Sequence, residues 1–285
     1  MLGRPVRRLV LTWPGGPMIN RTWIVVLTTV LALPVAAQQR ETRADRWLRN
    51  CDDYDSDRER FCEVRDVTMR TPARGLFVDG RENGGVSFYG WDRNEVRVRA
   101  LIQTWADSRS EAESLAKEVK IETDGDRVRA DGPPSRRHAS WSVSYEVFVP
   151  RKTNLDADTH NGGISVDSVN GRMELRAVNG GIALRDVGGD VRAETTNGGV
   201  SAQLNGTTWT GERLELETTN GGVTLDVPRG YNAELETGTV NGSMNIDFPI
   251  TVQGVVGRRI TTKLGNGGPR VRATTTNGGV RIRER

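Results

Sequence analysis

The sequence Asn161-Gly162-Gly163-Ile164 recurs as Asn179-Gly180-Gly181-Ile182 and as Asn197-Gly198-Gly199-Val200. Each copy begins 18 residues after the one before it. Three further copies of the Asn-Gly pair follow at Asn220-Gly221, Asn241-Gly242 and Asn277-Gly278. A motif that returns at a fixed interval indicates a repeat architecture, in which one structural unit is stacked on the next.

The residues around each Asn alternate between core-like and polar side chains. Counted from the Asn, apolar or small residues occupy positions −6, −4, −2, +3 and +5 around Asn161, Asn179, Asn197, Asn220 and Asn277. In a β-strand, successive side chains point to opposite faces, so each set lies on one face of a strand. The Asn-Gly-Gly between two strands predicts a sharp corner, at which glycine supplies a positive φ.

Two architectures use such a pattern. Asn-Gly between alternating strands is also a strong hairpin signal, so an antiparallel β meander is one alternative. A stack of coils instead requires the same type of side chain at the same offset, because equivalent positions become neighbours in the core. This requirement favours an all-β, right-handed parallel β-solenoid with about 18 residues per coil. The spacings of 23, 21 and 36 residues after Asn197 then predict coils with insertions and one coil without a clear motif.

Residues 71–150 have a different pattern, which predicts an N-terminal α+β cap. Its strands include one that Asn83-Gly84 introduces. Ser108 and Glu111 form a capping box that predicts one short helix, whose apolar stripe would pack against the sheet. The cap would cover one end of the coil stack, since a bare edge favours edge-to-edge self-association. The solenoid itself is predicted for residues 151–285.

Residues 1–37 have the order of a secretory signal peptide. Arg21 precedes the apolar run Trp23–Leu33, and Val35-Ala36-Ala37 forms a small-residue cleavage site. A run of about 11 residues is short of the ~20 that a membrane-spanning helix needs. We therefore expect cleavage after Ala37 and a periplasmic or secreted protein. An uncleaved anchor is the alternative, and translation could begin at Met18.

The net charge gives no reason to expect a nucleic-acid partner. The full chain carries +3, and removing the four arginines of residues 1–37, which contain no acidic residue, changes this to −1. Binding to nucleic acid requires a basic surface, and a nearly neutral mature chain does not predict one.

Cys51 and Cys62 are the two cysteines of the chain. In an oxidising compartment a close pair predicts a disulfide, which would hold the polar lead-in of residues 38–70 together. Within this lead-in, Asp53-Tyr54-Asp55-Ser56-Asp57 imitates the start of a calcium loop. Arg58 stands where that loop requires Gly, and the later bidentate Glu is absent, so we expect an acidic solvated loop.

The chain resembles the bacterial putative-adhesin domain family, which comprises exported β-strand-repeat proteins of unknown function. An alternating part with one short helix ends in Val147-Phe148-Val149-Pro150, and Thr-x-Asn-Gly-Gly repeats follow. Asp247-Phe248-Pro249-Ile250 and Thr274-Thr275-Thr276-Asn277-Gly278-Gly279-Val280 also carry the resemblance, which spans about residues 70–285. It implies a β-helical fold and an exported location, and it supplies no catalytic residue.

The sequence offers little for catalysis or metal binding. His138 and His160 are the two histidines, and both are expected to be solvated. They provide neither a base beside a nucleophile nor a ligand set for zinc. The residue two after Gly-Gly is Ser165, Ala183 or Ser201 where a calcium β-roll requires Gly. We therefore predict no catalytic residue, no cofactor and no metal site.

Charged residues alternate on the outward positions of the repeat. Two pairs of carboxylates, Asp156 with Asp158 and Glu215 with Glu217, keep a carbohydrate-active enzyme open as an alternative, because glycoside hydrolysis needs paired carboxyl groups. Arginines are interleaved with the acids, which predicts a charge-paired solvated face. The residues that carry this pattern are Arg172, Glu174, Arg176, Arg185, Arg192 and Glu194.

Together these features predict a non-enzymatic protein with a structural or interaction role, adhesin-like, in the bacterial cell envelope. The expected partner is an envelope protein or a glycan. An envelope-stress regulator that acts by partner binding is a further alternative. Clustered carboxylates with raised pKa values in a groove would favour the enzyme, and a flat, charge-balanced face would favour interaction.

Overall fold

A computed structural model describes residues 43–51, 58–250 and 257–285. The predicted signal peptide (1–37) and the calcium-like stretch Asp53–Asp57 lie outside the described residues. Those residues form two helices and twenty strands. In chain order they are α1 (Arg43–Arg49), β1 (Glu59–Arg70), β2 (Leu76–Asp79), β3 (Val86–Trp91), β4 (Glu95–Ala106), α2 (Arg109–Glu118), β5 (Lys120–Asp124), β6 (Arg127–Asp131), β7 (Ser140–Pro150), β8 (Leu155–Thr159), β9 (Ile164–Asp167), β10 (Met173–Asn179), β11 (Ile182–Arg185), β12 (Asp190–Asn197), β13 (Val200–Gln203), β14 (Arg213–Asn220), β15 (Val223–Val227), β16 (Ala233–Asn241), β17 (Met244–Ile246), β18 (Arg259–Leu264), β19 (Arg270–Asn277) and β20 (Val280–Glu284).

The strands form two sheets of ten strands each, and the fold is all-β as predicted. The first sheet has the order β1-β4-β7-β3-β9-β11-β13-β15-β20-β17. The second sheet has the order β18-β16-β19-β14-β12-β10-β8-β2-β6-β5. From β8 to β17, consecutive strands alternate between the two sheets, so the chain crosses from one sheet to the other at each Asn-Gly-Gly corner.

The centre of both sheets is parallel and in register. β10 lies between β8 and β12, with Met173 opposite Leu155 on one side and Val191 on the other. β11 lies between β9 and β13 in the same way in the first sheet. Equivalent positions of successive repeats are therefore direct neighbours. The antiparallel meander is wrong for this region, because neighbouring strands run in the same direction.

The core lies between the two sheets and contains the residues predicted to face inward. Every residue at the five offsets around Asn161, Asn179, Asn197, Asn220 and Asn277 is buried. Small side chains such as Ala157 and Ala193 are completely buried. The alternation of the sequence thus identified the inward face of each strand correctly.

The coils at the C-terminal end do not stack in chain order. β19 lies between β14 and β16, and β20 lies between β15 and β17. Val271 is opposite both Leu214 and Leu235. The last coil is therefore inserted between the two coils that precede it in sequence. The predicted coil without a motif between Asn241 and Asn277 is wrong, because β18 in this stretch pairs antiparallel with β16 at the end of the sheet.

The N-terminal strands extend the same two sheets. β2 pairs parallel with β8, and β3 pairs parallel with β9, so β2 and β3 form a further coil. β6 and β7 follow on its outer side, and antiparallel β5, β4 and β1 end the sheets. Both sheets thus contain strands from before and after Pro150. Residues 71–150 supply a coil as well as antiparallel strands at the end of the stack.

Two predicted local features are confirmed. Ser108 caps α2, and its hydroxyl accepts a hydrogen bond from the N–H of Glu111 at 3.3 Å. Cys51 and Cys62 form a disulfide, which ties the residues after α1 to β1. The structure adds α1 to the one helix that the sequence predicted. Neither of these two helices in the described residues is long and apolar enough to cross a membrane.

Candidate functional site

The predicted corner asparagines form a continuous ladder of side-chain amides. Nδ2 of Asn179 donates to Oδ1 of Asn161 at 2.8 Å, and Nδ2 of Asn197 donates to Asn179 at the same distance. Every donor points toward the N-terminal end of the stack. This asparagine ladder has the spatial order Asn241, Asn277, Asn220, Asn197, Asn179, Asn161 and Asn83, with hydrogen bonds of 2.8 to 3.1 Å.

Sequence reasoning missed Asn83 as a corner residue. The motif Asn83-Gly84-Gly85-Val86 is present, and Val86 is buried at the expected position. In β2, however, Leu76 and Val78 face inward, which is one residue out of step with the other coils. The Asn-Gly-Gly motif was therefore the signal that could have identified this coil. The shift of the inward-facing positions in β2 is the reason why the repeat was not recognised there.

Close approach between coils explains the corner glycines. A Cβ atom on Gly180 would lie 2.1 Å from the carbonyl oxygen of Gly162, and one on Gly198 would lie 2.1 Å from that of Gly180. The predicted reason, a positive φ, is wrong for five of the six predicted corner glycines (Gly162, Gly180, Gly198, Gly221 and Gly242). Only Gly278 among the six has a φ in that range, 149°. Glycine is needed because a side chain would displace the neighbouring coil.

Inward-facing threonines satisfy the carbonyl groups of these corners. Oγ1 of Thr195 donates to the carbonyl oxygen of Gly180, and Oγ1 of Thr218 donates to that of Gly198, both at 2.7 Å. Buried backbone carbonyls require such partners. The asparagines, glycines and threonines of the corners therefore hold the coils together. Side chains that contact a partner are expected on the outer faces of the sheets.

The outer surface of the second sheet carries most of the charged residues that the sequence singled out. The charged face consists of Asp156, Asp158, Glu174, Arg176, Arg192, Glu194, Glu215 and Glu217. Arg172 lies at its edge and donates a hydrogen bond to Glu174. Arg185 was predicted to belong to this face, and that prediction is wrong. It follows the Asn179 corner and so lies on β11 of the first sheet, 3.4 Å from Asp167.

Arg176 is the central cation of the charged face. Its Nη2 lies 2.6 Å from Glu174, and its Nη1 lies 3.6 Å from Asp156 and 3.7 Å from Asp158. Hydrogen bonds from Arg172 and Arg176 lower the pKa of the Glu174 carboxyl. Burial and the neighbouring charge of Asp158 raise the pKa of Asp156. The first predicted carboxylate pair is therefore bridged by one guanidinium group.

The second predicted carboxylate pair has no such cation. In the part of the chain that the structure describes, no arginine or lysine nitrogen lies within 4.0 Å of Glu215 or Glu217. Glu217 lies opposite Glu194 on the neighbouring strand, and Glu194 accepts hydrogen bonds from Arg192. Like charges on adjacent strands repel, whereas Glu215 lies opposite Arg192 on one side and Arg272 on the other, so Glu217 is the less compensated carboxylate of this pair.

A groove of about 700 Å³ runs over the charged face beside the asparagine ladder. Its charged lining residues are five carboxylates and two guanidinium groups, from Asp79, Glu82, Asp158, Glu194, Glu217, Arg81 and Arg176. His160 also lines this groove and is exposed, as expected. His138 lies elsewhere, 3.2 Å from Asp107. The two histidines are thus not brought together, and the groove can attract a cationic partner.

A metal site was not predicted, and the described ranges contain no group of three or more His, Cys, Asp or Glu side chains that could hold a metal ion.

Comparison with known proteins identifies similar solved structures and a family model. No curated protein matches the sequence at a significant level. A putative cell adhesion protein from Clostridium sporogenes is 11% identical with a TM-score of 0.42, over 80% of this chain and all of that chain. A putative adhesin from Bacteroides fragilis is 11% identical with a TM-score of 0.37, over 79% of this chain and 97% of that one. A putative lipid binding protein from Parabacteroides distasonis is 10% identical with a TM-score of 0.32, over 79% of this chain and 96% of that one.

The family model described as Toastrack DUF4097 matches residues 114–283. The match covers more than half of the chain, including all six corners that the sequence predicted. It confirms the resemblance to the putative-adhesin repeat proteins. The chain therefore belongs to the Toastrack DUF4097 family.

Proposed function

We propose that this chain is an exported, non-enzymatic interaction protein of the bacterial cell envelope with an adhesin-like role. The signal-like segment 1–37 and the Cys51–Cys62 disulfide support export, because disulfides persist in oxidising compartments. The stacked coils support an interaction role. They present wide outer surfaces on which side chains repeat at the strand spacing of about 4.8 Å.

The observation that carries the proposal is the groove over the charged face. Its carboxylates outnumber its guanidinium groups by five to two. Complementary charge raises the rate and the specificity of association with a partner of opposite sign. The partner that fits this groove is therefore an envelope protein with a basic segment, and its binding should weaken as salt screens the charges.

We also infer a right-handed winding of the stack, with about 18 residues per coil between residues 155 and 204. Parallel strands of one sheet that are joined by a crossover are connected in a right-handed sense in nearly all known proteins. The ladder bonds between residues 18 positions apart, at Asn161, Asn179 and Asn197, support this coil length.

A capture experiment tests the interaction. The chain is expressed with its own N-terminal segment and a C-terminal tag, and envelope extract is passed over it. The wild type is compared with the double variant Glu194→Gln/Glu217→Gln and with the control Glu118→Gln, which removes an exposed carboxylate on α2. We expect a protein that the wild type and the control retain and the double variant loses. Equal retention by all three would exclude the charged face as the binding surface.

The same preparation tests export and separates the remaining alternatives. Mass spectrometry of the purified chain should show Gln38 as its first residue, and a retained N-terminal segment would indicate an uncleaved anchor. A captured sensor or signalling protein would indicate the regulator alternative. A captured second copy of this chain would instead indicate self-association of the sheet edges.

One observation favours a carbohydrate-active enzyme as a second candidate. Asp156 has a raised pKa and lies beside Asp158, a combination that acid catalysis requires. Arg176, however, lies near both carboxyl groups, and its positive charge already compensates their negative charge. We expect no turnover when a glycan array is incubated with the protein. Turnover that Asp156→Asn abolishes would replace the interaction proposal with the enzyme.

A further inference from the structure

The asparagine ladder ends at a cavity. Oδ1 of Asn83 accepts a hydrogen bond from Asn161 at 3.1 Å. The other ladder residues use Nδ2 to bond the next corner, whereas Nδ2 of Asn83 has no partner among the described residues. Beyond Asn83 the chain has the loop between β6 and β7 in place of an Asn-Gly-Gly corner. A cavity of about 180 Å³, the ladder-end cavity, lies between this loop and Asn83.

Tyr145 contributes an unused hydroxyl to the ladder-end cavity. Its side chain lines the cavity and is only 2% exposed. Its phenolic oxygen is buried without a hydrogen-bond partner, although the hydroxyl of a buried tyrosine usually has one. Burial raises the pKa of Tyr145, and the charges of Asp79 and Arg81 also act on it. The hydroxyl is therefore protonated, and because water does not reach its oxygen in this structure, a ligand can bond to it only when the side chains around the cavity shift.

The remaining walls combine apolar rings with polar side chains, among them Ser135 and Ser142. Trp141, Pro133 and Pro134 line the cavity, and Nε1 of Trp141 donates to the carbonyl oxygen of Pro133 at 2.7 Å, which fixes the indole ring. Arg81 also lines it, but its guanidinium lies 3.4 Å from Asp131, so its charge is compensated. An apolar wall with two hydrogen-bond donors and little net charge suits a neutral ligand that has an apolar part and an acceptor.

We propose that the ladder-end cavity binds the acetamido group of an N-acetylated amino sugar. An amide carbonyl is the acceptor that Nδ2 bonds throughout the ladder, and its two lone pairs allow it to accept from Asn83 and from Tyr145. The acetyl methyl and the apolar face of the sugar would pack against Trp141. The volume corresponds to about six water molecules at ~30 Å³ each, which admits an acetamido group and part of a sugar ring.

The loop disfavours a peptide as the ligand. Pro133 and Pro134 have no backbone N–H, so this wall cannot pair with an extended peptide as a sheet edge does. An anion is disfavoured by Glu82, which also lines the cavity and is left over when Arg81 compensates Asp131. The inference does not use the excess carboxylates of the charged face, so the capture experiment can fail while this site stands, or the reverse.

Saturation-transfer NMR on the purified full chain tests the site with N-acetylglucosamine as the probe. Glucosamine and glucose are the matched probes, because they keep the ring and lack the acetyl group. We expect saturation of N-acetylglucosamine, strongest at its acetyl methyl, and none of the two matched sugars. Equal saturation of glucose, no saturation of the acetyl methyl, or tighter binding of an asparagine-containing peptide would overturn the proposal.

Two tyrosine variants separate binding from folding. Tyr145→Phe removes only the unused hydroxyl, so we expect an affinity loss of about 3- to 10-fold with unchanged or raised thermal stability. Tyr231→Phe is the control, since Tyr231 is 3% exposed, its hydroxyl also lacks a partner, and it lies outside this cavity. Its affinity should equal that of the wild type. An unchanged affinity in Tyr145→Phe, or an equal loss in both variants, would exclude the site.

Discussion

Nδ2 of Asn179 donates a 2.8 Å hydrogen bond to Oδ1 of Asn161, the equivalent residue one coil earlier. Asn179 in turn accepts a hydrogen bond of 2.8 Å from Asn197. Each interior amide of the ladder is thus used twice, and chains of hydrogen bonds strengthen one another. A slip of one residue between coils would remove every one of these bonds, so the ladder specifies the register of the stack.

The first prediction concerns position within the ladder. Asn179→Ala removes two amide bonds, and we expect it to lower the free energy of unfolding by about 2 kcal/mol, at ~1 kcal/mol per neutral bond. Asn241→Ala at the end of the ladder removes one bond and should cost about half as much. Urea denaturation of both variants measures the difference. Equal losses at the two positions would show that the ladder does not act through its bonds.

The second prediction concerns the close approach of the corners. Gly180→Ala places a methyl group 2.1 Å from the carbonyl oxygen of Gly162, so the coils must separate. We expect a loss of at least about 2 kcal/mol in the free energy of unfolding. Gly257→Ala is the matched control, because a Cβ there meets nothing within 4 Å, and it should change stability by less than about 0.5 kcal/mol. Comparable losses in the two variants would contradict this explanation.

The repeating coil could be predicted from the sequence, but the order in which the coils stack could not. Alternation around each Asn identified the buried face, because a strand exposes one side to water and one to the core. The coils that begin at Asn241 and Asn277 carry the same motif, so either can stack on the coil of Asn220. A repeated local motif cannot specify which of two equivalent neighbours it meets. The insertion of β19 next to β14 therefore could not be deduced from spacing.

The sequence predicted the charge-paired composition of this face correctly, but it placed only some of the residues on the right sheet. Counting outward positions gave Arg176 and its acidic neighbours correctly, because they follow one strand pattern. It placed Arg185 on the wrong sheet, since a corner intervenes between the two residues. The cavity beside Tyr145 had no sequence signal. It arises where a loop of different length replaces a corner, which depends on packing between segments far apart in the chain.

The third prediction concerns pH. Glu236 is 8% exposed and contacts Arg270, Arg259 and Arg272. A hydrogen bond from Arg270 lowers the pKa of this carboxyl below its ordinary value of 4.5. A lowered pKa in the folded state means that ionised Glu236 stabilises the fold above about pH 4.5. This contribution is lost as the pH falls through the folded-state value.

Glu236→Gln isolates this effect. We expect the variant to unfold more easily than the wild type at pH 7, by about 2 kcal/mol, because it loses a hydrogen bond between charged groups. The difference should shrink at pH 3, because below the ordinary pKa of 4.5 the carboxyl of the unfolded chain is protonated and the ionised carboxylate no longer favours the fold to the same extent. Urea denaturation at the two pH values measures it, and a difference that is the same at both would rule out the ionised carboxylate as the cause.

The fourth prediction concerns the disulfide. Cys51 and Cys62 are separated by 11 positions, and closing a loop of this size stabilises a protein by about 3 kcal/mol on the chain-entropy model. We expect the double variant Cys51→Ser/Cys62→Ser to lose roughly this amount. The wild type should lose a similar amount when reductant is added, and the double variant should not respond to reductant. A response of the double variant would show that reductant acts elsewhere.

Disulfide trapping measures the stacking order most directly. In the structure Arg213 and Glu234 both lie opposite Arg270, one on either side of β19. Neighbouring strands are about 4.8 Å apart, which a disulfide can bridge, whereas alternate strands at about 9.6 Å exceed its reach of ~7 Å. All three side chains are exposed. Arg213→Cys/Arg270→Cys should therefore form a bond under oxidation, and Arg213→Cys/Glu234→Cys should not. A bond in the second pair and none in the first would contradict a parallel stack with the last coil inserted.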